Sequence, residues 1–332
     1  MPKTWTMDEL SNVMRTYQGA CVLLAGCELN LFEIFAQAPL TASELASAAS
    51  ADLRGVAMLA DALTAMGVLL KSAGKYSLAP GVSEVFTAGG KTSMLAMAQH
   101  QANCLRSWAD LARIAKTGKP HHKEPSVRGE SADYAAFIEA MDNISRITAP
   151  QVIGFVPEIP FTHLLDVGGA SGTWTIHFLK RHPAANATLF DLPKVLPQAK
   201  ARFANAGMLS RVQLIAGDFM IDPLPAGADL AWVSAIIHQM SRAECRHLYA
   251  SVFKALIPGG QILIRDHVMD ATRTIPASGA FFAINMLVNT ETGGTFTFDE
   301  IAEDLTSVGF TSPRLVHSEE TMNCIVGATK AK

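Results

Sequence analysis

His163-Leu-Leu-Asp-Val-Gly-Gly-Ala-Ser-Gly172 reads as a short buried strand that runs into a glycine turn, and a helix through Phe178 and Leu179 follows it. Glycines at that junction let backbone approach a ligand closely, and the helix start presents free N–H groups. The same pattern recurs downstream. Ala187–Asp191, Val212–Ala216, Leu230–Ala235 and Gln261–Arg265 read as further strands, and helices are expected over Lys194–Ala206 and Arg242–Leu256, with Pro258-Gly-Gly260 as a turn. Alternating strands and helices imply an α/β, doubly wound, Rossmann-like parallel sheet that binds ligands at the carboxyl ends of its strands.

The turn's spacing narrows the ligand. Gly168, Ala170 and Gly172 give G-x-A-x-G, and position 173 is Thr, so the G-x-G-x-x-G of a dinucleotide site is absent. S-adenosylmethionine (SAM) carries no pyrophosphate and suits this tighter turn. Asp191 ends the second strand about 20 residues further on, where a carboxylate can accept both ribose hydroxyls. Gly217-Asp218-Phe219 ends the third strand, where an acid and an aromatic face can bracket an adenine. Taken alone, Asp191 would also serve as a helix N-cap before Pro193; three such features at successive strand ends favour the ligand.

The other half of the chain has a different texture. Apolar residues between Leu10 and Ala36 fall at helical spacing. Thr41-Ala-Ser-Glu44 is a capping box, and Asp52 is placed to cap a helix closed by Gly67. Val68–Lys71 and Tyr76–Leu78 then form a hairpin, which completes a winged-helix arrangement. Such a unit either reads DNA or serves as a dimerising roof. Its second helix offers only Arg54 to phosphates or bases, which disfavours DNA. Thr117–Pro125 is a Gly, Pro and His-rich loop. His121 and His122 near Glu124 suggest a metal, but adjacent residues of an extended chain point opposite ways, so a solvated loop is favoured. A helix from Ala132 to about Ile147 leads to Pro150. The division expected is 1–110 for a dimerisation domain, 111–155 for a linker and pocket helix, and 156–332 for the cofactor domain.

Composition excludes several classes. The chain has 332 residues, 49% apolar and 17% charged, with net charge -3, so it lacks the basic excess of a nucleic-acid partner. The five cysteines are odd in number and never spaced Cys-x-x-Cys, as expected of reduced thiols without a zinc site. No signal peptide opens it, and Ala20–Ala36 is too short and polar to span a bilayer. A cytoplasmic protein with no membrane partner and no metal is expected.

The reacting group is sought after the fourth strand. Methyl transfer from a sulfonium is an in-line displacement that needs an aligned nucleophile and a base. His238, in Ser234-Ala-Ile-Ile-His-Gln-Met240, lies at the cofactor edge, and Asp266 ends the neighbouring strand, where it can accept the far ring N–H. A histidine capping the helix near Ser241 is the plainer reading.

On the turn, Phe190-Asp-Leu-Pro193, Gly217-Asp-Phe219, the His238 segment and Ala255-Leu-Ile-Pro-Gly-Gly260, the chain resembles SAM-dependent O-methyltransferases of the plant caffeate and animal acetylserotonin type and their bacterial relatives. The resemblance covers nearly the whole chain. It implies that Asp166, Gly168, Gly169 and Gly172 hold the methionine part, with Ser234 beside them. Asp191 and Leu192 would meet the ribose and adenosine, Asp218 and Phe219 the adenine. His238 would be the base, Asp266 its orienting acid, and the N-terminal half an intertwined homodimer. S-adenosylhomocysteine would be the coproduct. The family's His-Asp-Trp is here His238, Gln239 and Met240, and its further acid near a Gly-Gly is matched only by Glu291 in a shifted register. Phe137, Met141, Asn285 and Met286 match pocket-lining positions, between the two halves, for a small and aromatic hydroxyl substrate. Altered SAM chemistry, such as C- or N-methylation, and a SAM-sensing DNA-binding regulator are the alternatives.

Overall fold

The computed structural model describes residues 3–120 and 124–332; His121 and His122 lie outside the described residues. Two compact units emerge: Met1–Ala109 with His122–Ile144, and Asp110–His121 with Ser145–Lys332. The stretch expected as a linker, 111–155, is thus divided between them.

The first unit carries α1 (Met7–Val13), α2 (Tyr17–Glu28), α3 (Leu31–Phe35), β1 (Leu40–Thr41), α4 (Ala42–Ala48), α5 (Leu53–Ala65), β2 (Leu69–Ser72), β3 (Lys75–Leu78), α6 (Val82–Phe86) and α7 (Leu95–Trp108). The caps expected from sequence are present. Thr41 and Glu44 form the reciprocal box that starts α4, and the Asp52 side chain accepts from the Gly55 N–H at 2.8 Å to start α5. Gly67, at φ 75°, ends that helix in the left-handed region where only glycine is unstrained. The hairpin of β2 and β3 gains a third strand, β1, which pairs antiparallel with β3 through Leu40 and Tyr76. Leu31, Phe32, Leu45, Leu63, Leu69 and Tyr76 form its buried centre.

Next come α8 (Leu111–Thr117) and α9 (Glu130–Phe155). The sequence expectation ended α9 before Pro150; the helix continues through it for five more residues. An internal proline costs about 3 kcal/mol. Ala149, Val152 and Ile153, all buried against Leu164, Phe178 and Leu179, offset that cost.

The second unit continues with β4 (His163–Val167), α10 (Thr173–Arg181), β5 (Asn186–Asp191), α11 (Leu196–Asn205), β6 (Val212–Ala216), β7 (Ala228–Ser234), α12 (Arg242–Ala255), β8 (Leu256–Asp266), β9 (Val268–Met269), α13 (Ala277–Asn289), β10 (Phe296–Thr297), α14 (Phe298–Ser307), β11 (Phe310–His317) and β12 (Cys324–Lys330). The sheet order is β11-β12-β8-β7-β4-β5-β6. The five expected strands are parallel, whereas β12 pairs antiparallel with both β8 and β11. Pro258-Gly-Gly260 is a bulge inside β8 and not a turn before it: Leu256 faces Ala228, and the ladder resumes at Gln261 opposite Leu230. Apolar residues of β4, β5, β7 and β8 feed two cores, one under α9, α10 and α11 and the other under α12 and α14. Burying both faces explains why these strands read as near-continuous apolar runs. All five cysteines are free thiols, and no helix among the described residues is long and apolar enough to cross a membrane.

Candidate active site

The order of the sheet puts the carboxyl ends of β6, β5, β4, β7 and β8 side by side. At the end of β4 the chain turns through Gly168 (φ 66°) and Gly172 (φ 76°). Side chains are excluded here by space as well as by φ. A Cβ on Gly168 would stand 2.5 Å from Ile236 Cδ1, and one on Gly172 would stand 2.4 Å from the Phe203 ring. On Gly169 it would stand 2.8 Å from the Asp166 carboxyl. Asp166 is only 1% exposed and accepts the Thr175 hydroxyl, which ties the strand to the first turn of α10. Burial pushes its carboxyl up to about 7, against the lowering effect of the Thr175 hydrogen bond.

Asp191 clasps the same turn from the next strand. Its Oδ2 accepts the Ala170 N–H at 2.7 Å, and its Oδ1 accepts the Leu192 N–H at 2.7 Å. Burial raises this carboxyl, and both amide bonds work in the other direction. The contact to Ala170, which holds that residue at φ 47°, was not foreseeable from spacing. Leu192 is 39% exposed beside it. At the end of β6, Asp218 Oδ1 accepts the Met220 N–H at 2.9 Å, and the Asp218 N–H donates to Asp222 at 2.8 Å. Phe219 reaches back to the glycine turn, with Cε1 3.7 Å from where a Gly168 side chain would begin. The turn, Asp191, Asp218 and Phe219 therefore share one edge.

After β7 a single 3-10 turn, Ile237–Gln239, carries His238, which is 6% exposed. Its Nδ1 lies 2.9 Å from each carboxylate oxygen of Asp266 at the end of β8. Burial would raise the Asp266 carboxyl, but the charge and hydrogen bond of His238 and the His267 N–H hold it below the ordinary range. An ionised carboxylate only accepts, so the proton between the two groups belongs to Nδ1, and Nε2 is the nitrogen that Asp266 leaves free for other partners. The ring is braced by Phe282 of α13, edge-on at 4.9 Å and 88°, and Phe282 also packs on His267. The Gly293-Gly294 backbone closes over the turn: the Gly294 N–H donates to the His238 carbonyl at 2.9 Å, and a Cβ on Gly293 would stand 2.5 Å from that same oxygen.

Not every expected residue joins this cluster. Glu291 is exposed in the turn after α13 and makes no hydrogen bond or ion pair among the described residues. Its neighbour Thr292 bonds Glu244 instead, at 2.8 Å. On α13, Met286 is buried, and Asn285 accepts from Asn289 within the helix. In the other unit, Phe137 packs its half-exposed ring 5.2 Å from His100, and Met141 lies one helical turn further along α9. Ser234 closes β7 and accepts from Arg265 at 3.2 Å. A shallow recess of about 470 Å³, lined by His163, Asn186 and Arg211, sits at the opposite ends of the strands.

Family models match both parts of the chain, an O-methyltransferase dimerisation domain over residues 13–89 and an O-methyltransferase domain over residues 88–311. The chain belongs to the O-methyltransferase family, and it is a SAM-dependent O-methyltransferase. It is 31% identical over 322 residues to the 3-hydroxy-5-methyl-1-naphthoate 3-O-methyltransferase of Streptomyces sahachiroi, covering 93% of this chain and 91% of that one. It is 28% identical over 319 residues to the tetracenomycin polyketide synthesis 8-O-methyl transferase of Streptomyces glaucescens, with 92% of each covered. Among solved structures, human N-acetylserotonin methyltransferase in complex with SAM shares the fold at a TM-score of 0.81, with 24% identity and 100% of both chains covered.

Proposed function

We propose that this O-methyltransferase methylates a hydroxyl of a small aromatic molecule, with His238 as general base and a homodimer as the working form. The His238–Asp266 pair, set at the end of a sheet beside the glycine turn, carries this reading. SAM supplies a methyl group on a sulfonium, open to in-line displacement. Gly168, Gly169 and Gly172 let the backbone lie against it. Asp191 has used one lone pair of each oxygen on backbone amides and keeps others for ribose hydroxyls. Asp218 and Phe219 are the residues for the adenine. The donor set thus fits an adenosine with an uncharged linkage, for which no phosphate cradle is needed.

His238 takes the hydroxyl proton at Nε2 as the oxygen attacks. Asp266 holds the ring by Nδ1 and stabilises the imidazolium that forms. A phenolic hydroxyl has a pKa near 10, within reach of a histidine when proton loss is concerted with attack. The names of the two Streptomyces relatives point to O-methylation, the first of them on a hydroxynaphthoate, and the Phe282, Met286 and Asn285 face of α13 is suited to a flat ring. Dimerisation is supported by α1. None of its residues is buried; Met7, Leu10 and Val13 expose their apolar side chains, as do Met14 at its C-cap and Tyr17 at the start of α2.

The test is incubation with methyl-labelled SAM and a panel of phenols and hydroxynaphthoates. Labelled ether is expected from at least one. No label on any hydroxyl, with label found instead on an amine or carbon acceptor, would defeat the hydroxyl reading.

A further inference from the structure

We propose that Arg265 binds the carboxylate of the cofactor's amino-acid tail, an inference that rests on the SAM reading above. Arg265 is the penultimate residue of β8 and is 4% exposed. Its Nε and Nη2 donate to Asn323 Oδ1 at 3.0 and 2.6 Å, and Nη1 donates to Ser234 Oγ at 3.2 Å. Its guanidinium also lies 4.6 Å from the centre of the Trp174 ring, in the first turn of α10. A guanidinium has five N–H donors, so two remain. No carboxylate among the described residues hydrogen-bonds it. Glu319 is linked to it through Asn323, whose amide donates to that carboxylate at 2.6 Å.

A buried cation with only neutral partners is expensive, and burial pulls this guanidinium down to about 10 despite the pull of Asp266 and Glu319. An anion would offset that cost. The location says which one. Adenosine partners occupy the ends of β5 and β6, the glycine turn follows at β4, and the base lies after β7. A ligand laid along this edge therefore brings its non-nucleoside end to β7 and β8. Ser234 and Arg265 are register partners there, so their side chains share a face, beside Trp174 of the helix that leaves the glycine turn. Asp266, one residue on, turns to the other face and holds His238. Consecutive residues of β8 thus serve the two ends of the reaction, one the base and the other the tail. Planar, bidentate pairing with a carboxylate is what a guanidinium does best.

The experiment compares two ligands by calorimetry: S-adenosylhomocysteine, and 5′-methylthioadenosine, which keeps the nucleoside and thioether but lacks the amino-acid tail. Arg265→Met should weaken S-adenosylhomocysteine by roughly tenfold or more while methylthioadenosine changes less than about twofold. Arg265→Gln removes the charge but leaves a polar side chain, and should show the same selective loss if the Met variant does not fold. Asn323→Ala, which leaves the cation in place, should shift both ligands alike. Equal losses for both ligands in the Arg265 variants, or no loss, would overturn the proposal in favour of a clamp on the β11–β12 loop. Failure of the unaltered protein to bind either ligand would instead bring down the SAM reading itself.

Discussion

His238 Nδ1 sits 2.9 Å from both oxygens of Asp266, 28 residues away in sequence, because β7 and β8 are parallel neighbours that end at the same edge. That pairing determines which nitrogen of the imidazole is left to take a proton. His238→Ala should lower turnover by about 10²–10⁴-fold with S-adenosylhomocysteine binding kept within about twofold, as measured by steady-state kinetics and calorimetry. Asp266→Asn should cost at least about tenfold, because an amide can hold the ring in the wrong tautomer.

Asp166 and Asp266 should bend stability with pH in opposite ways. Asp166 is raised in the fold to about 7, so its protonated form favours folding. Its contribution is complete below the ordinary carboxylate pKa near 3.9 and is lost as pH rises towards 7. Asp166→Asn keeps an acceptor for Thr175 and should remove this decline, which thermal melts between pH 5 and 8 would show. Asp266 is lowered, so its contribution is present above about 3.9 and disappears as pH falls through its lower folded value.

Gly172 combines φ 76° with a Phe203 ring 2.4 Å from where its Cβ would be. Gly172→Ala should therefore destabilise the cofactor domain by about 2–4 kcal/mol in urea titrations, from left-handed strain and overpacking together. Loss of less than about 0.5 kcal/mol would mean the turn relaxes freely.

Glu291 is exposed and touches no polar partner among the described residues, so Glu291→Gln should change kcat/KM by less than about threefold, a shift of under 1 kcal/mol. A hundredfold drop would show that the segment closes onto the base during turnover.

The exposed apolar face of α1 and its C-cap residue Met14 should lie in the dimer contact. Leu10→Asp with Met14→Asp should convert a dimer to a monomer in sedimentation at micromolar concentration, since each places a charge where apolar area would be buried.

The local elements were legible because their signals are local. Thr41, Glu44 and Asp52 announce caps whose hydrogen bonds close within three residues, and Gly168 and Gly172 announce a turn no other residue fits. Apolar runs marked five parallel strands, and Asp191, Asp218, His238 and Asp266 could be placed at the carboxyl edge of the sheet because each ends or follows one. Pro150 misled, since a local cost about three kilocalories deep is outweighed by burial of Val152 and Ile153 against partners the sequence does not place beside them. The antiparallel β12, the Ala170 amide on Asp191, the Phe282 edge on His238 and the Arg265 cluster with Asn323 and Trp174 all join residues far apart in the chain. Backbone preference and hydrophobic period act over a few residues and are written in the sequence. Which polar group meets which across neighbouring strands depends on register and packing, and only the folded chain decides it.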